Sequence, residues 1–164
     1  MLGRLTPETE NGTHRCITYW DGRSNGDHLN IPLNSITTKS IDYIFTDVWK
    51  DGSPANIDLL LSLIRKTRAR YNPKEGPLAV HCSAGVGRTG SFIAAYCIID
   101  EIETQLKKGI PIENLEISIE RIVTHLSMQR YAMVSNETQY ISLYNLASQY
   151  IESISKPDSK NKDH

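Results

Sequence analysis

Cysteine, large aromatic side chains and charge imbalance are all scarce in this sequence. Its 164 residues hold three cysteines, two tryptophans and two phenylalanines. Cys16, Cys82 and Cys97 are odd in number and far apart, which argues against a disulfide framework. Reduced thiols and a cytoplasmic location are expected instead. Eighteen Lys and Arg stand against nineteen Asp and Glu, a net charge of −1. A nucleic-acid partner is therefore not expected, because the basic excess it requires is missing. The longest unbroken apolar run, Phe92 to Ile99, has eight residues. A membrane span needs ~20, so none is expected. The opening MLGRLTPETENG lacks the apolar core of a secretory signal. The five histidines show no metal-ligand spacing, so neither a metal nor a cofactor is expected. The length suits one domain with a sizeable core.

Texture changes along the chain. RCITYW, HLNIPL and IDYIFTDVW are β-branched and aromatic segments, the first two separated by the turn formers DGRSNGD. Ser53-Pro54 then reads as a helix cap followed by proline at the first helical position. Ile57, Leu60, Leu61 and Ile64 recur at helical spacing until Tyr71-Asn72-Pro73 stops them. GPLAVHC reads as a short buried strand. The glycine-rich turn SAGVGRTG leads from it into SFIAAYCIIDEIETQLKKG, a central helix ending at Gly109. Two amphipathic helices follow, one carrying Ile119, Ile122, Val123 and Leu126, the other Tyr140, Tyr144, Ala147, Ile151 and Ile154. SKPDSKNKDH reads as a disordered tail over residues 155–164. This order predicts an α/β domain with a mixed sheet.

His81-Cys82-Ser83-Ala84-Gly85-Val86-Gly87-Arg88-Thr89-Gly90 is the most informative stretch. A loop between a strand and a helix N-terminus has unpaired N–H groups and a positive dipole end, which together attract anions. There the field favours the Cys82 thiolate, a nucleophile near neutral pH. Arg88 presents a bidentate fork for two phosphoryl oxygens. Gly85-x-Gly87-x-x-Gly90 also matches the dinucleotide fingerprint, but one long helix follows instead of a second strand ending in an acid. A Walker loop is excluded because Gly-Lys-Ser/Thr is absent. A Cys–His pair is excluded because His81 and Cys82 are adjacent, and strand neighbours point to opposite faces. A lone cysteine beside a glycine turn is ordinarily inert, but an arginine in the same loop argues otherwise.

This loop resembles the signature of the cysteine-dependent protein tyrosine phosphatases in its tyrosine-specific form. Arg15-Cys16-x-x-Tyr19-Trp20 resembles the family's Lys-Cys-x-x-Tyr-Trp-Pro strand. Trp49-Lys50-Asp51 sits where the family has its mobile Trp-Pro-Asp loop, and Met133 to Tyr140 resembles its glutamine-bearing loop. The resemblance implies a catalytic domain over residues 1–154, built on a central, mixed, highly twisted sheet flanked by helices. The phosphate-binding loop joins a central strand to a helix. It also implies phosphotyrosine-bearing proteins as partners, hydrolysed through a cysteinyl-phosphate intermediate.

The roles it implies are these. Cys82 attacks phosphorus, and Arg88 with the N–H groups of Ser83, Ala84, Gly85, Val86, Gly87 and Arg88 holds the phosphoryl oxygens. Asp51 protonates the leaving phenolate and then activates water, while the Thr89 hydroxyl helps Cys82 leave. His81 orients the loop, Trp49 anchors the acid loop, and Glu10 braces the loop arginine. Gln139 is the retained member of the glutamine pair. Outside that context Asp51-Gly52 is a common turn pair, Trp20 and Trp49 are core or rim aromatics, and Arg65, Lys66, Arg68, Arg70 and Lys74 are a solvated basic face at a helix C-terminus or a docking patch for acidic phosphopeptides.

Departures from the family pattern are specific. Lys50 replaces the usual proline, and Asp51-Gly52-Ser53-Pro54 is one residue shorter than usual, which bears on loop closure. Ser135 replaces the water-positioning glutamine, so hydrolysis of the intermediate is expected to be impaired or handled by Gln139. Tyrosine-specific members have a substantial portion before the Lys-Cys-x-x-Tyr-Trp strand that deepens the pocket. The chain thus reads as the C-terminal part of such a domain or as a compact version. These departures leave two alternatives to a tyrosine phosphatase: a weak or inactive phosphopeptide-binding module, and a phosphatase of broader, dual specificity.

Overall fold

The computed structural model describes residues 43–74 and 76–155, with the backbone of five strand segments nearer the N-terminus. β1 (Leu2–Gly3) runs parallel to β6 (Ile44–Phe45). β2 (Thr9–Glu10) pairs antiparallel with β3 (Thr13–His14). β4 (His28–Pro32) pairs antiparallel with β5 (Thr38–Asp42), in a register running from His28 opposite Asp42 to Pro32 opposite Thr38. The predicted HLNIPL segment is β4, and IDYIFTDVW spans the end of β5 and β6. RCITYW, the turn cluster after it and the tail beyond Ser155 lie outside the described residues.

Four helices make the core: α1 (Ile57–Arg70), α2 (Gly87–Lys107), α3 (Ile119–Gln129) and α4 (Glu137–Ser155). The spacing of Leu60, Leu61, Leu63, Ile64 and Thr67 gives α1 one buried face. α2 is the axis: Phe92, Ala94, Ala95, Ile98, Ile99 and Ile102 are all buried, and α1, α3 and α4 pack around them. Burying an Ile or Leu side chain contributes ~1.5–3 kcal/mol. Leu60, Ile64, Ile98, Ile102, Leu143 and Leu146 are such residues. Exposed pairs such as Arg121–Glu101 at 2.9 Å contribute ~0–1 kcal/mol each. The apolar axis therefore holds the bundle.

Four sequence expectations are corrected. Ser53-Pro54 does not cap α1: Ser53 Oγ donates to Lys50 O at 2.7 Å and closes its own turn, while Asn56 Oδ1 accepts the Leu59 N–H at 3.1 Å. Gly76 to Cys82 is not a fully buried strand: it makes a single bridge, at Val80, and Leu78, Val80, His81 and Cys82 are half-buried. α2 begins at Gly87 rather than after the glycine turn, so its first turn contains Arg88 and Thr89. In α4 Ala147 is buried and Tyr140 and Ile151 pack against the core as expected, but Tyr144 and Ile154 are exposed, and Gln139, Ser142, Leu143 and Leu146 complete the buried face.

The basic run divides. Arg68 leaves solvent to pair with Glu103 at 2.8 Å and Asp100 at 3.3 Å, its guanidinium 4.9 Å from the centre of the Tyr96 ring. Tyr150 Oη on α4 donates to the same Glu103 carboxylate at 2.7 Å. Burial, then the Glu103 carboxylate, push the Tyr150 phenol up to about 12. The unfolded chain therefore ionises this tyrosine first, so its contribution is intact below pH ~10 and is lost as pH rises towards 12. Tyr150→Phe is expected to flatten the loss of thermal stability over that alkaline window. Melting temperatures of both proteins at pH 8 and 11 check it; an unchanged alkaline slope contradicts it.

Candidate active site

The loop from Cys82 to Gly87 enters α2 without a side-chain cap: Val86 occupies the capping position, and the first helical turn has no acidic residue. Its N–H groups and dipole are therefore free to act on an anion. Gly85 N–H already points inward, donating to Cys82 Sγ at 3.2 Å. Gly85 has φ +73, a left-handed backbone that side-chain-bearing residues rarely adopt. Burial raises the Cys82 thiol, but the Thr89 hydroxyl and the N–H groups of Thr89, Gly85 and Val86 outweigh it, and its pKa falls below the ordinary thiol value. The Thr89 hydroxyl acts on the thiol without completing a well-directed hydrogen bond to it. His81 Nδ1–H donates to Cys82 O at 3.3 Å.

Arg88 is only 5% exposed. Its Nη1 donates to Trp49 O at 3.0 Å, and its Nη2 lies 3.1 Å from Asp51 Oδ1 in an ion pair. Among the described residues, the buried Arg88 Nε has no hydrogen-bond partner and Nη2 makes no well-directed hydrogen bond. The guanidinium thus retains donors for a further anion. This contact brings Trp49 and Asp51 to the loop from 39 residues away in sequence.

The turn bearing Asp51 is built locally. Lys50 O accepts both Ser53 N–H and Ser53 Oγ, and the Trp49 indole N–H donates to Ser53 O at 3.0 Å. Gln139 is fully buried: Oε1 accepts from Ser135 N–H and Ser135 Oγ, and Nε2 donates to Ser53 O at 3.4 Å. Asn136 Nδ2 donates to Gly52 O at 2.9 Å. The predicted residues Cys82, Arg88, Asp51, Thr89, Trp49, Gln139 and Ser135 therefore converge. Ser83 and Ala84 form the exposed rim. The side chain of Glu10 lies outside the described residues.

Sequence reading missed the outer clamp. Arg130 Nη2 donates to Ala84 O at 3.2 Å, and its guanidinium lies against Gly85. Ala84 C=O and Gly85 N–H belong to one trans peptide and point oppositely. Holding the carbonyl outward turns the N–H inward, onto Cys82. Farther along, Val134 N–H donates to Val86 O at 3.3 Å, and Gly90 packs so closely that a Cβ there would collide with Val134 N. Val134 has φ 62, costing of order 1–3 kcal/mol for a β-branched residue. No local signal marks Arg130, since its contact spans 46 residues.

A family model described as protein-tyrosine phosphatase matches residues 28–149. The chain belongs to the protein-tyrosine phosphatase family. The tyrosine-protein phosphatase corkscrew of Drosophila melanogaster is 32% identical across 94% of this chain, but the chain spans 21% of that protein. Rat tyrosine-protein phosphatase non-receptor type 20 is 29% identical, and the chain spans 40% of it. Among solved structures, the catalytic domain of human protein tyrosine phosphatase non-receptor type 18 superposes with a TM-score of 0.65 at 27% identity, covering 92% of this chain and 58% of that one. A Trypanosoma brucei protein tyrosine phosphatase shares the fold with a TM-score of 0.67 at 21% identity. The architecture is thus the α/β fold of these catalytic domains.

Two expectations follow from the loop. Iodoacetamide is expected to modify Cys82 far faster than Cys97 at pH 7, because burial and then Asp100 and Glu101 raise the Cys97 thiol. Arg130→Ala is expected to move the alkylation midpoint of Cys82 to higher pH without unfolding the protein. Mass spectrometry of the two cysteine peptides across pH 5–9 checks both; coincident profiles contradict them.

Proposed function

We propose that this chain hydrolyses phosphotyrosine in proteins through a cysteinyl-phosphate intermediate. The observation that carries the reading is the acidified Cys82 thiol at the α2 N-terminus, with the buried Arg88 guanidinium held between Trp49 O and Asp51. The substrate's phosphoryl oxygens take the loop N–H groups and the donors of Arg88, displacing the Asp51 carboxylate from Nη2. Cys82 Sγ attacks phosphorus in line, the S–P bond forms, and the bond to the phenolic oxygen breaks. Asp51, carrying a proton taken from solvent once phosphate has displaced it from Arg88, passes it to this oxygen as it leaves. Arg88 and the loop amides hold the charge while it redistributes. Water then cleaves the S–P bond, with Asp51 as base and Thr89 stabilising the departing thiolate.

The second half-reaction is the less equipped one. Gln139 spends its carbonyl on Ser135 and its amide on Ser53, so it serves as a brace. Ser135 Oγ is itself turned towards Gln139. This favours slow hydrolysis of the intermediate over its handling by Gln139. Residues 1–154 form the catalytic unit in this reading, with Glu10 bracing the loop arginine and a mixed, twisted central sheet completing the domain. The need for a reduced thiol suits a cytoplasmic setting.

The test is phosphate release from a phosphotyrosine peptide between pH 5 and 8. Cys82→Ser is expected to abolish turnover, and Asp51→Ala to slow it by about 10²–10⁴-fold, the ordinary range for a general acid. Binding without turnover would make the chain a phosphopeptide-reading module, and equal rates on phosphothreonine would make its specificity dual. Rapid mixing is expected to show a burst of phenol ahead of the steady state, because the intermediate accumulates. A linear progress curve from the first turnover contradicts the slow second step.

A further inference from the structure

Asn136 makes more hydrogen bonds than its place before α4 requires. Its Oδ1 accepts the Gln139 N–H at 2.9 Å and the Thr138 hydroxyl at 2.8 Å, an ordinary cap of the helix. Two donors on Oδ1 fix which end of the amide is nitrogen. That nitrogen reaches across 84 residues of sequence to Gly52 O at 2.9 Å. Serine or aspartate caps a helix equally well, but neither combines that cap with an amide donor of this reach. Gly52 directly follows Asp51, and its own N–H donates to the Asp51 carboxylate at 3.1 Å.

The remaining ties of this turn differ in kind. Trp49 to Ser53 and Ser53 to Lys50 are internal to it. Two contacts run through Arg88, to Trp49 O and to Asp51, and the Asp51 contact is the one a phosphate displaces. Gln139 to Ser53 is long, at 3.4 Å. Two short anchors survive the arrival of the anion: the Arg88–Trp49 O bond at 3.0 Å, at the near end of the turn, and the Asn136–Gly52 bond, next to the acid itself.

We propose that Asn136 is a positioning residue for the general acid: one end of its amide caps α4, and the other holds the Asp51 turn over the substrate after phosphate has taken Arg88. The inference rests on Asp51 being the acid. Losing the bond leaves the turn free to open, and Asp51 then meets the leaving oxygen less often. A single neutral hydrogen bond at the surface shifts such an equilibrium by about three- to tenfold.

Asn136→Ser and Asn136→Asp separate the two tasks, because both keep the cap and remove the amide donor. Asp51→Asn serves as the reference. The readout is kcat/KM, which covers the steps through phenol release, on a phosphotyrosine peptide and on 2,4-dinitrophenyl phosphate, whose leaving group departs without a proton. Both Asn136 variants are expected to lose about three- to tenfold on the peptide, Asp more than Ser because its carboxylate faces Gly52 O. They should stay within about twofold on dinitrophenyl phosphate, with melting temperatures close to the parent's. If Asp51→Asn separates the two substrates while both Asn136 variants match the parent, the latch is overturned and the acid assignment stands. Equal losses on both substrates overturn it too, as a general disturbance of the site. If Asp51→Asn does not separate the substrates, the acid assignment fails and takes the inference with it.

Discussion

The guanidinium of Arg88 is held inside this protein with 5% of its surface exposed. Burying a charge without an answering one is unfavourable by several kcal/mol, so the surroundings of Arg88 are under constraint. Among the described residues they answer it with one carbonyl from Trp49 and one exposed carboxylate from Asp51, and none of them bonds Nε. The N-terminal amides of α2 add positive potential at the same spot. Such an arrangement favours an anion beside Arg88, and the Asp51 carboxylate occupies that place at 3.1 Å. In the proposed reaction, binding of phosphate and release of the acid become one event, since both compete for Nη2.

Such a centre needs a rigid mount. α2 supplies it by running from the phosphate loop into the middle of the core, where Ala94, Ala95, Ile98 and Ile102 have no measurable exposure. The small residues let α1, α3 and α4 approach closely, and a shift of the loop would have to move this packed axis. Three segments then meet around the first turn: 49–53, 82–88 and 130–139. Each is tied to the others by backbone carbonyls, as with Trp49, Ala84, Val86, Gly52 and Ser53. The side chains that make these ties, Arg88, Arg130, Asn136 and Gln139, are thereby fixed by main-chain geometry rather than by one another's rotamers.

Cys82 and Arg88 were legible in the sequence because their chemistry is local: a glycine-rich turn before an apolar helix dictates free amides, whatever lies elsewhere. Asp51 was legible through its place after Trp49 and before the loop. The α1 face and its stop at Tyr71 followed from periodicity and Pro73. Arg130 and Asn136 were not legible, because their contacts span 46 and 84 residues; Arg130 lies in no marked pattern, and the Met133–Tyr140 segment draws attention to its glutamine rather than to Asn136. The start of α1 was misplaced for a related reason: Ser53 has the composition of a cap, yet a competing acceptor, Lys50 O, lay three residues away. The stripe on α4 was read from tyrosines, whose amphipathic rings tolerate the surface; the buried register instead belongs to Gln139 and Leu143, drawn inward by the loop and by α2.

The division of labour between backbone and side chains has a consequence for how capture and turnover are linked in this chain. In the proposed reaction, capture of phosphate rests on amides at a helix end and on one buried cation, features set by the fold. Transfer of the proton in that reaction rests on an exposed turn held by a few hydrogen bonds that compete with water. The first property is robust and the second is marginal, since each surface bond contributes only ~0.5–1.5 kcal/mol. Substitutions such as Lys50 for proline and Ser135 for glutamine fall entirely on the marginal side, in the turn that bears the acid and in the segment that braces it. Neither replaces a residue of the loop itself, although Ser135 Oγ packs against Gly87. In the proposed reaction such changes act first on the turn that bears the acid, which makes turnover adjustable apart from the binding of phosphate.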